Sequence, residues 1–421
     1  MGYIAYVIIS IIIIIILFYV IKYLINKFRK YNMVKKYPGP KAYPIIGNMY
    51  MFLGDLTDVT RKLIQFTTIY SSPWQLWIGS KLLLVFDDPE NIKILLKNSI
   101  NQEKNFVYYF VKYSLGDGLF TAPGSLWKIH RRIIDPIFNA KMVSSYMESI
   151  NKNSKRLVNI LEITNGENVD FSHYVHLCTL DIIYDTLWES DLNLQNNPDC
   201  KLDKYMTESL NITMERISKF WLYPNIIFRN SSLGKRFHEN DSYIMNLTNE
   251  NGVYEELYDM YGSSDVNDDP ITYDDTKKMY YLERVIKETL RLFPPAPFIG
   301  RKLCKNIIVN DNNVIPKNTD VLFAIYSIHR NDKYWKDPLR FNPDRFLPGN
   351  YDPKCFIPFS SGKRGCIGKL FAMAEMKTIA ASLLRKFIVK IDNPVSAENV
   401  GLKISITLEP TETILLRFIR R

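Results

Sequence analysis

The sequence predicts a mainly α-helical chain with a smaller β portion, one large domain preceded by a single N-terminal transmembrane helix. Three observations carry that class. Tyr3 to Ile21 is a run of nineteen residues without a charge, with unbroken isoleucine from Ile11 to Ile16. At ~1.5 Å per residue such a helix crosses the ~30 Å of a bilayer's hydrocarbon core. Helical spacing of apolar residues runs through much of 125–260, and again over 280–293 and 370–387. β-type patterns are shorter, at 74–86, 314–325 and 402–418.

The N-terminal run lacks the basic start and small-residue cleavage site of a removed signal peptide, so it reads as an anchor over residues 1–21. Lys22, Lys27, Arg29, Lys30, Lys35 and Lys36 follow it with no acid among them, which holds the remaining chain on the cytosolic side. Under that topology the glycosylation acceptors Asn211, Asn230 and Asn246 carry no glycan. These six cations also account for most of the formal charge of +10. The rest of the chain is nearly balanced, which excludes a nucleic-acid binder built on a basic surface. With 47% hydrophobic and 23% charged residues the composition is globular, not disordered. Cys178, Cys200, Cys304, Cys355 and Cys366 are scattered and odd in number, so neither a disulfide framework nor a paired zinc site is expected.

Residues 22–47 form a basic and proline-rich linker ending in Tyr37-Pro38-Gly39-Pro40-Lys41-Ala42-Tyr43-Pro44-Ile45-Ile46-Gly47, where three prolines exclude helix and favour a stiff extended path. The domain proper then covers 48–421. Trp74 to Trp77 and Leu82 to Phe86, joined by Ile78-Gly79-Ser80-Lys81, predict a β-hairpin. Asp88-Pro89-Glu90 opens a helix with proline in its first turn. A helix over 280–293 is stopped by Pro294-Pro295; turns are expected at Pro316-Lys317-Asn318 and at Glu409-Pro410-Thr411. His173, His176 and Cys178 lie on an apolar helix with no fourth ligand nearby and are not read as a metal site.

The chemistry concentrates in Phe359-Ser360-Ser361-Gly362-Lys363-Arg364-Gly365-Cys366-Ile367-Gly368, a glycine-rich loop with one cysteine just before a helix. Backbone N–H groups and a positive helix end favour a thiolate there. One thiolate without partner ligands is wrong for structural zinc but right for a haem iron, and Gly365 and Gly368 would let the backbone approach a flat macrocycle. The spacing Phe-x-x-Gly-x-Arg-x-Cys-x-Gly resembles the haem signature of the cytochrome P450 family of haem-thiolate monooxygenases.

The resemblance implies haem b, with Cys366 as the axial ligand of its iron and Phe359, Gly362 and Gly368 shaping the loop. Glu288 and Arg291, in Glu288-Thr289-Leu290-Arg291, look like the family's Glu-x-x-Arg pair. Three apart on a helix, they share a face and can bond a third group. That group is Arg345 of Asn342-Pro343-Asp344-Arg345-Phe346, which resembles the Pro-x-Arg-Phe motif; together they imply structural support of the haem loop. Trp127 and Arg131, in Trp127-Lys128-Ile129-His130-Arg131, resemble the helix that binds the haem propionates, and their N–H donors suit an acceptor-only carboxylate. Arg364 and Arg301 are implied as further propionate ligands. No Gly-x-Gly-x-x-Gly or phosphate-binding loop is present. Electrons are therefore expected from NADPH through a separate cytochrome P450 reductase, with cytochrome b5 as a further partner. The segments 281–288 and 297–301 look most like the fourth P450 family, which implies a lipophilic substrate such as a fatty acid, hydrocarbon or foreign compound, and an endoplasmic-reticulum enzyme with a cytosolic catalytic domain.

The resemblance covers 30 to about 245 and about 252 to 421, and what should lie between is missing. No Ala/Gly-Gly-x-Asp/Glu-Thr-Thr type motif occurs in the chain. Family members carry it on the long helix across the distal haem face, where the acid-Thr pair helps deliver protons to dioxygen. Asp185-Thr186 and Asp275-Thr276 are the only Asp-Thr pairs, and neither stands in the right place. From Glu250 to Asp275 there are nine acids and no basic residue, unlike a helix buried in a domain core. An internal deletion near 246–252 is thus expected, with Asn246–Gly252 joined directly to a short helix over 253–260, and no catalytic residue is assigned. Two readings follow. Either the chain is an internally truncated monooxygenase, or it is a membrane-bound haem-binding relative without monooxygenase activity.

Overall fold

The apolar N-terminal run is helical, and the helix does not stop where the charges begin: α1 covers Gly2–Val34, so Lys22, Lys27, Arg29 and Lys30 continue its turns. Ile8, Ile9, Ile11 to Ile15, Leu17 and Phe18 are exposed on it, whereas Val34 and Tyr37 are buried in the main domain. The computed structural model describes residues 2–97, 103–197, 202–240, 270–309, 313–392 and 394–420. The side chains of Ile16, Val20, Tyr23 and Leu24 lie outside that description, and among the described residues no helix is long and apolar enough to cross a membrane. The predicted junction at Asn246–Gly252 and the helix expected over 253–260 also lie outside the described residues.

The proline-rich segment is pinned to the domain. It has no regular structure over 38–42, and against expectation Tyr43 to Gly47 close a turn through Ile45 at φ +58°, their N–H and carbonyl groups paired with each other. The amide N–H of Gln75 donates to the carbonyl of Pro38 at 2.8 Å, and Asn48 donates to those of Pro40 and Lys41. Then follow α2 (Leu56–Ile69), β1 (Trp74–Ile78), β2 (Lys81–Phe86), α3 (Pro89–Lys97), α4 (Tyr108–Leu115), α5 (Gly124–Ile134), α6 (Ala140–Ser145) and α7 (Met147–Ile163). After β3 (Val169–Asp170) come α8 (Phe171–Leu187), α9 (Leu202–Ser218), α10 (Asn225–Asn230) and a helical stretch α11 over 232–240. The C-terminal part holds α12 (Tyr273–Lys278), α13 (Tyr280–Leu292), β4 (Phe298–Lys302), β5 (Ile307–Val309), β6 (Asn313–Ile315), β7 (Asp320–Ala324) and α14 (Ile325–His329). It ends with α15 (Lys369–Lys386), β8 (Phe387–Lys390), β9 (Leu402–Ser405), β10 (Thr407–Pro410) and β11 (Leu415–Arg420).

Local chemistry explains the boundaries. The hairpin forms with Gly79 at φ +58°, the left-handed conformation its two-residue turn needs. Asp88 accepts from the N–H groups of Glu90 and Asn91 and so caps α3, with Pro89 as its first residue. Thr272 and Asp275 form a reciprocal capping box on α12. The 402–418 region departs from expectation in one respect: Glu409 and Pro410 belong to β10, and the chain reverses at Ile406, whose φ is +71°. Register decides this, since Thr407 pairs with Ser405 and Pro410 with Leu402.

Four strands form a mixed sheet in the order β1-β2-β7-β4, with β2 and β7 parallel. The continuous apolar run of β2 follows from burial on both faces. Leu82, Leu84 and Phe86 join a core with Ile92, Leu95, Val321 and Phe323, whereas Leu83 and Val85 join Trp74, Leu76 and α2 on the other side. Burying each such side chain contributes roughly 1.5–3 kcal/mol. A second core is helical, formed by α7, α8 and α15 around Ile150, Leu157, Ile182, Phe371 and Ile379. The cysteine loop enters α15 and also reaches across to α3, so it sits between the two cores.

Candidate functional site

The loop from Phe359 to Gly368 is held by its own backbone. Cys366 N–H donates to the carbonyl of Phe359 at 2.9 Å, and Gly365 N–H to that of Gly362 at 2.9 Å. Gly362 has φ +72°, and a Cβ there would stand 2.3 Å from the carbonyl oxygen of Leu96; only glycine fits. Gly368 differs. It caps α15 with φ −82°, and a Cβ would find only Phe138 Cε1, at 3.8 Å. Nothing in the protein demands glycine at that point, so the open space beside the exposed Cys366 is a cradle that a side chain would fill.

Arg364 of the loop is one of three cations that act on one another. Arg364 donates to the carbonyl of Ala122 at 2.8 Å and lies over the ring of the buried Trp127, 4.4 Å from its centroid, while its Nε is buried without a partner. Arg301, 2% exposed on β4, spends one N–H on the carbonyl of Gly300 and contacts the Tyr108 hydroxyl. Lys104 holds its ammonium 4.1 Å over the Tyr108 ring and 4.9 Å from that of Phe120. Burial lowers all three pKa values. Lys104 is pushed well below its ordinary value, first by desolvation and then by the charges of Arg301 and Arg364; Arg364 is lowered to about 10 by desolvation and then by Arg301. Among the described residues none of the three forms an ion pair with a carboxylate. Glu103 is the one carboxylate whose charge reaches Arg364, and it is spent on the N–H of Gly124. Three converging cations without an ion-paired carboxylate suit a ligand carrying carboxylates, and the donor set fits the two propionates of a haem.

No motif marks Lys104. It stands between Glu103, whose backbone bridges to Lys302 of β4 and whose carboxylate caps α5 at Gly124, and Asn105, against which Gly300 packs so closely that a Cβ would lie 2.3 Å from the Asn105 amide. Arg131, by contrast, points elsewhere: it donates to the carbonyl of Gly365 at 3.0 Å and pairs with Asp135, touching the cysteine loop itself instead of joining the cation cluster.

Glu288 and Arg291 form a bidentate pair at 2.7 and 2.8 Å, both 0% exposed. Arg345 Nε donates to Glu288 at 3.3 Å, and its other nitrogens donate to the carbonyls of Lys336, Asp337 and Arg340. Asn342 N–H also reaches Glu288, at 2.8 Å. The carboxylate thus gathers α13 and the segment after α14 into one knot. His173, His176 and Cys178 fall on α8, and among the described residues no group of three or more His, Cys, Asp or Glu could hold a metal ion.

Comparison with known proteins accords with this geometry. The cytochrome P450 family model matches the chain in two segments, residues 37–251 and 246–417. The chain is 27% identical to cytochrome P450 4V2 of Mus musculus over 490 aligned positions, which use 94% of this chain and 92% of that protein. It is 28% identical to the probable cytochrome P450 4s3 of Drosophila melanogaster, covering 86% of this chain and 88% of the relative, and 26% identical to cytochrome P450 4d10 of Drosophila mettleri, covering 87% and 88%. Since 490 aligned positions exceed the 421 residues available, the mouse protein carries stretches that this chain lacks. With a mainly helical fold, a cysteine loop of the haem-thiolate pattern and relatives of the fourth family across most of its length, the chain belongs to the cytochrome P450 family of monooxygenases, which are oxidoreductases.

Proposed function

We propose that the chain binds haem b through Cys366 and that its function is the insertion of one oxygen atom of O2 into a lipophilic substrate such as a fatty acid, hydrocarbon or foreign compound. The observation that carries this is the cluster of Lys104, Arg301 and Arg364, desolvated together without an ion-paired carboxylate, with Arg364 two residues from Cys366 in the loop. When bound, haem supplies the iron centre at which dioxygen is activated. The protein's part is to bind and orient it. Arg364, Arg301 and Lys104 hold the propionates, with Trp127 stacked beneath Arg364; Arg131 fixes the loop through the Gly365 carbonyl; Phe359, Gly362 and Gly368 shape the loop; and Glu288, Arg291 and Arg345 brace it from behind. Electrons come from NADPH by way of a cytochrome P450 reductase, with cytochrome b5 as a further donor. A groove of about 510 Å³ beside the loop is lined by Lys287, Lys369, Lys377, Phe359 and Leu370 and by Glu283, which pairs Lys287 and Lys377, so Lys369 is the cation it offers an acidic donor most directly.

The N-terminal helix supports a single-pass anchor in the endoplasmic reticulum with the catalytic domain in the cytosol. The described side chains of its uncharged run are exposed, and the basic residues follow it. One specific observation favours a second reading of the chain as written. The acid-Thr motif of the distal helix is absent from the sequence, and the family match breaks into two segments meeting at 246–251, where the internal deletion is expected. On that reading this form binds haem with little or no turnover, and monooxygenase activity belongs to a form with the distal helix restored.

The test is to express both forms with reductase and record reduced carbon-monoxide difference spectra and NADPH-dependent product formation. The expected result is a thiolate-type spectrum that Cys366→Ser abolishes, with turnover only in the restored form. An unchanged spectrum in Cys366→Ser overturns the ligand assignment, and turnover in the short form overturns the truncation reading.

A further inference from the structure

The hydrogen bonds of the Glu288 knot end on the backbone of His329, Lys336, Asp337, Arg340 and Asn342, none of which belongs to the cysteine loop. The link between knot and loop is a side chain. His329, the last residue of α14, is 0% exposed; its carbonyl accepts from Arg291 at 2.6 Å. Its imidazole Nε2 accepts from the N–H of Ile357 at 3.0 Å, and the ring stacks on Phe356 with centroids 5.4 Å apart and planes 29° from parallel. From there the path runs along the backbone. The carbonyl of Ile357 accepts from Ser360 at 3.0 Å, and that of Phe359 from Cys366 at 2.9 Å.

Two features make this anchor matter. Pro358 has no N–H, so Ile357 offers the last backbone donor before the turn into the loop. Ser360 holds φ +60°, a conformation that a non-glycine residue adopts only when its surroundings impose it. We propose that His329 is a positioning residue for the thiolate, carrying the order of the Glu288–Arg291–Arg345 knot to Cys366 through its hydrogen bond to Ile357. The bond requires a neutral ring with an unprotonated Nε2. The surroundings keep the ring neutral, because burial and then the Arg291 charge push the imidazolium down to about 3, and the Ile357 N–H selects the tautomer whose proton is on Nδ1.

This rests on reading the loop as the haem-thiolate loop, and the test separates the two. In the full chain, His329→Gln restores an acceptor where Nε2 stands, and His329→Leu fills the space without one. Amide hydrogen exchange at Ile357 and Cys366 is measured without haem; with haem, the rate at which the reduced carbon-monoxide complex passes from its thiolate-type to its non-thiolate-type spectrum. The leucine variant is expected to lose Ile357 protection and to convert roughly tenfold faster, as loss of a buried acceptor implies, with the glutamine variant within about threefold of the parent. Should the leucine variant not accumulate folded, His329→Asn, whose side chain ends near the Nδ1 position, replaces it with the same expectation. A leucine variant indistinguishable from the parent, or a glutamine variant as impaired as leucine, overturns the proposal. An unchanged spectrum in Cys366→Ser would instead overturn the haem-thiolate reading, while Ile357 exchange would still decide whether His329 orders the loop.

Discussion

Arg364 lies over the ring of Trp127, its Cζ 4.4 Å from the centroid, with one guanidinium nitrogen on the carbonyl of Ala122 and its Nε buried without an acceptor. A cation set on an aromatic face and left partly unsatisfied keeps hydrogen-bonding capacity for a further acceptor, as the proposed propionate would supply.

The same logic gives opposite signs for two states. Without haem, Lys104, Arg301 and Arg364 repel one another in a desolvated site. Lys104→Met is therefore expected to leave the haem-free chain as stable or more stable, yet to weaken haem retention by roughly tenfold through the lost charge-assisted bond. Melting of the haem-free protein and the rate of haem transfer to an excess of acceptor protein check both halves. A variant that is destabilised without haem and retains it normally contradicts the assignment.

The two glycines of the loop should part company. Gly362→Ala forces a Cβ against the Leu96 carbonyl at a left-handed φ and should cost about 1–3 kcal/mol in any state. Gly368→Ala meets no protein atom closer than 3.8 Å and should change haem-free stability by less than about 0.5 kcal/mol while impairing haem binding. Denaturant titrations beside haem titrations distinguish them.

Glu375 is buried in α15 with one carboxyl oxygen lacking a partner, and desolvation raises its pKa to about 8 from the usual 4.5. Because the folded value lies above the unfolded one, its contribution to stability is full below about pH 4.5 and is lost as pH rises to about 8. Glu375→Gln should be close to the parent near the lower limit and more stable by a few kcal/mol at the upper. Denaturant midpoints across that range test the sign; a difference independent of pH would refute it.

The buried pair of Glu288 and Arg291 should respond asymmetrically to mutation. Arg291→Ala leaves Oε2 of a carboxylate that is 0% exposed without a donor, and the remaining Arg345 contact at 3.3 Å is long, so the substitution is expected to cost about 3–5 kcal/mol, enough to remove most folded protein. Arg345→Ala leaves that carboxylate still bonded to Arg291 and Asn342 and should cost less. Equal losses in denaturant unfolding would contradict the hierarchy.

Much of this is legible along the chain because its signals are local. The hairpin at 74–86, the Asp88 cap and the Glu288–Arg291 pair each depend on residues within a few positions, where backbone periodicity decides the geometry. The reversal falls at Ile406 and not at Glu409-Pro410 because composition marks turn residues, whereas strand register decides which of them turn. Lys104 carries no local signal, since its meaning comes from the bridge between Glu103 and Lys302 that sets it beside Arg301.

By itself the sequence determined the glycine-rich loop with its single cysteine, the helical apolar start and the absence of a distal acid-Thr motif. Each is a property of residue type at fixed short spacing. Only the tertiary structure decided which cations face the site: Arg364 meets Ala122 across 242 positions, and Arg131 turns to Gly365 across 234. Such meetings depend on how strands pair and cores pack, and no local pattern encodes them. For the same reason the role of His329 is invisible in the sequence, because its hydrogen bond to Ile357 exists only once α14 is buried against the loop.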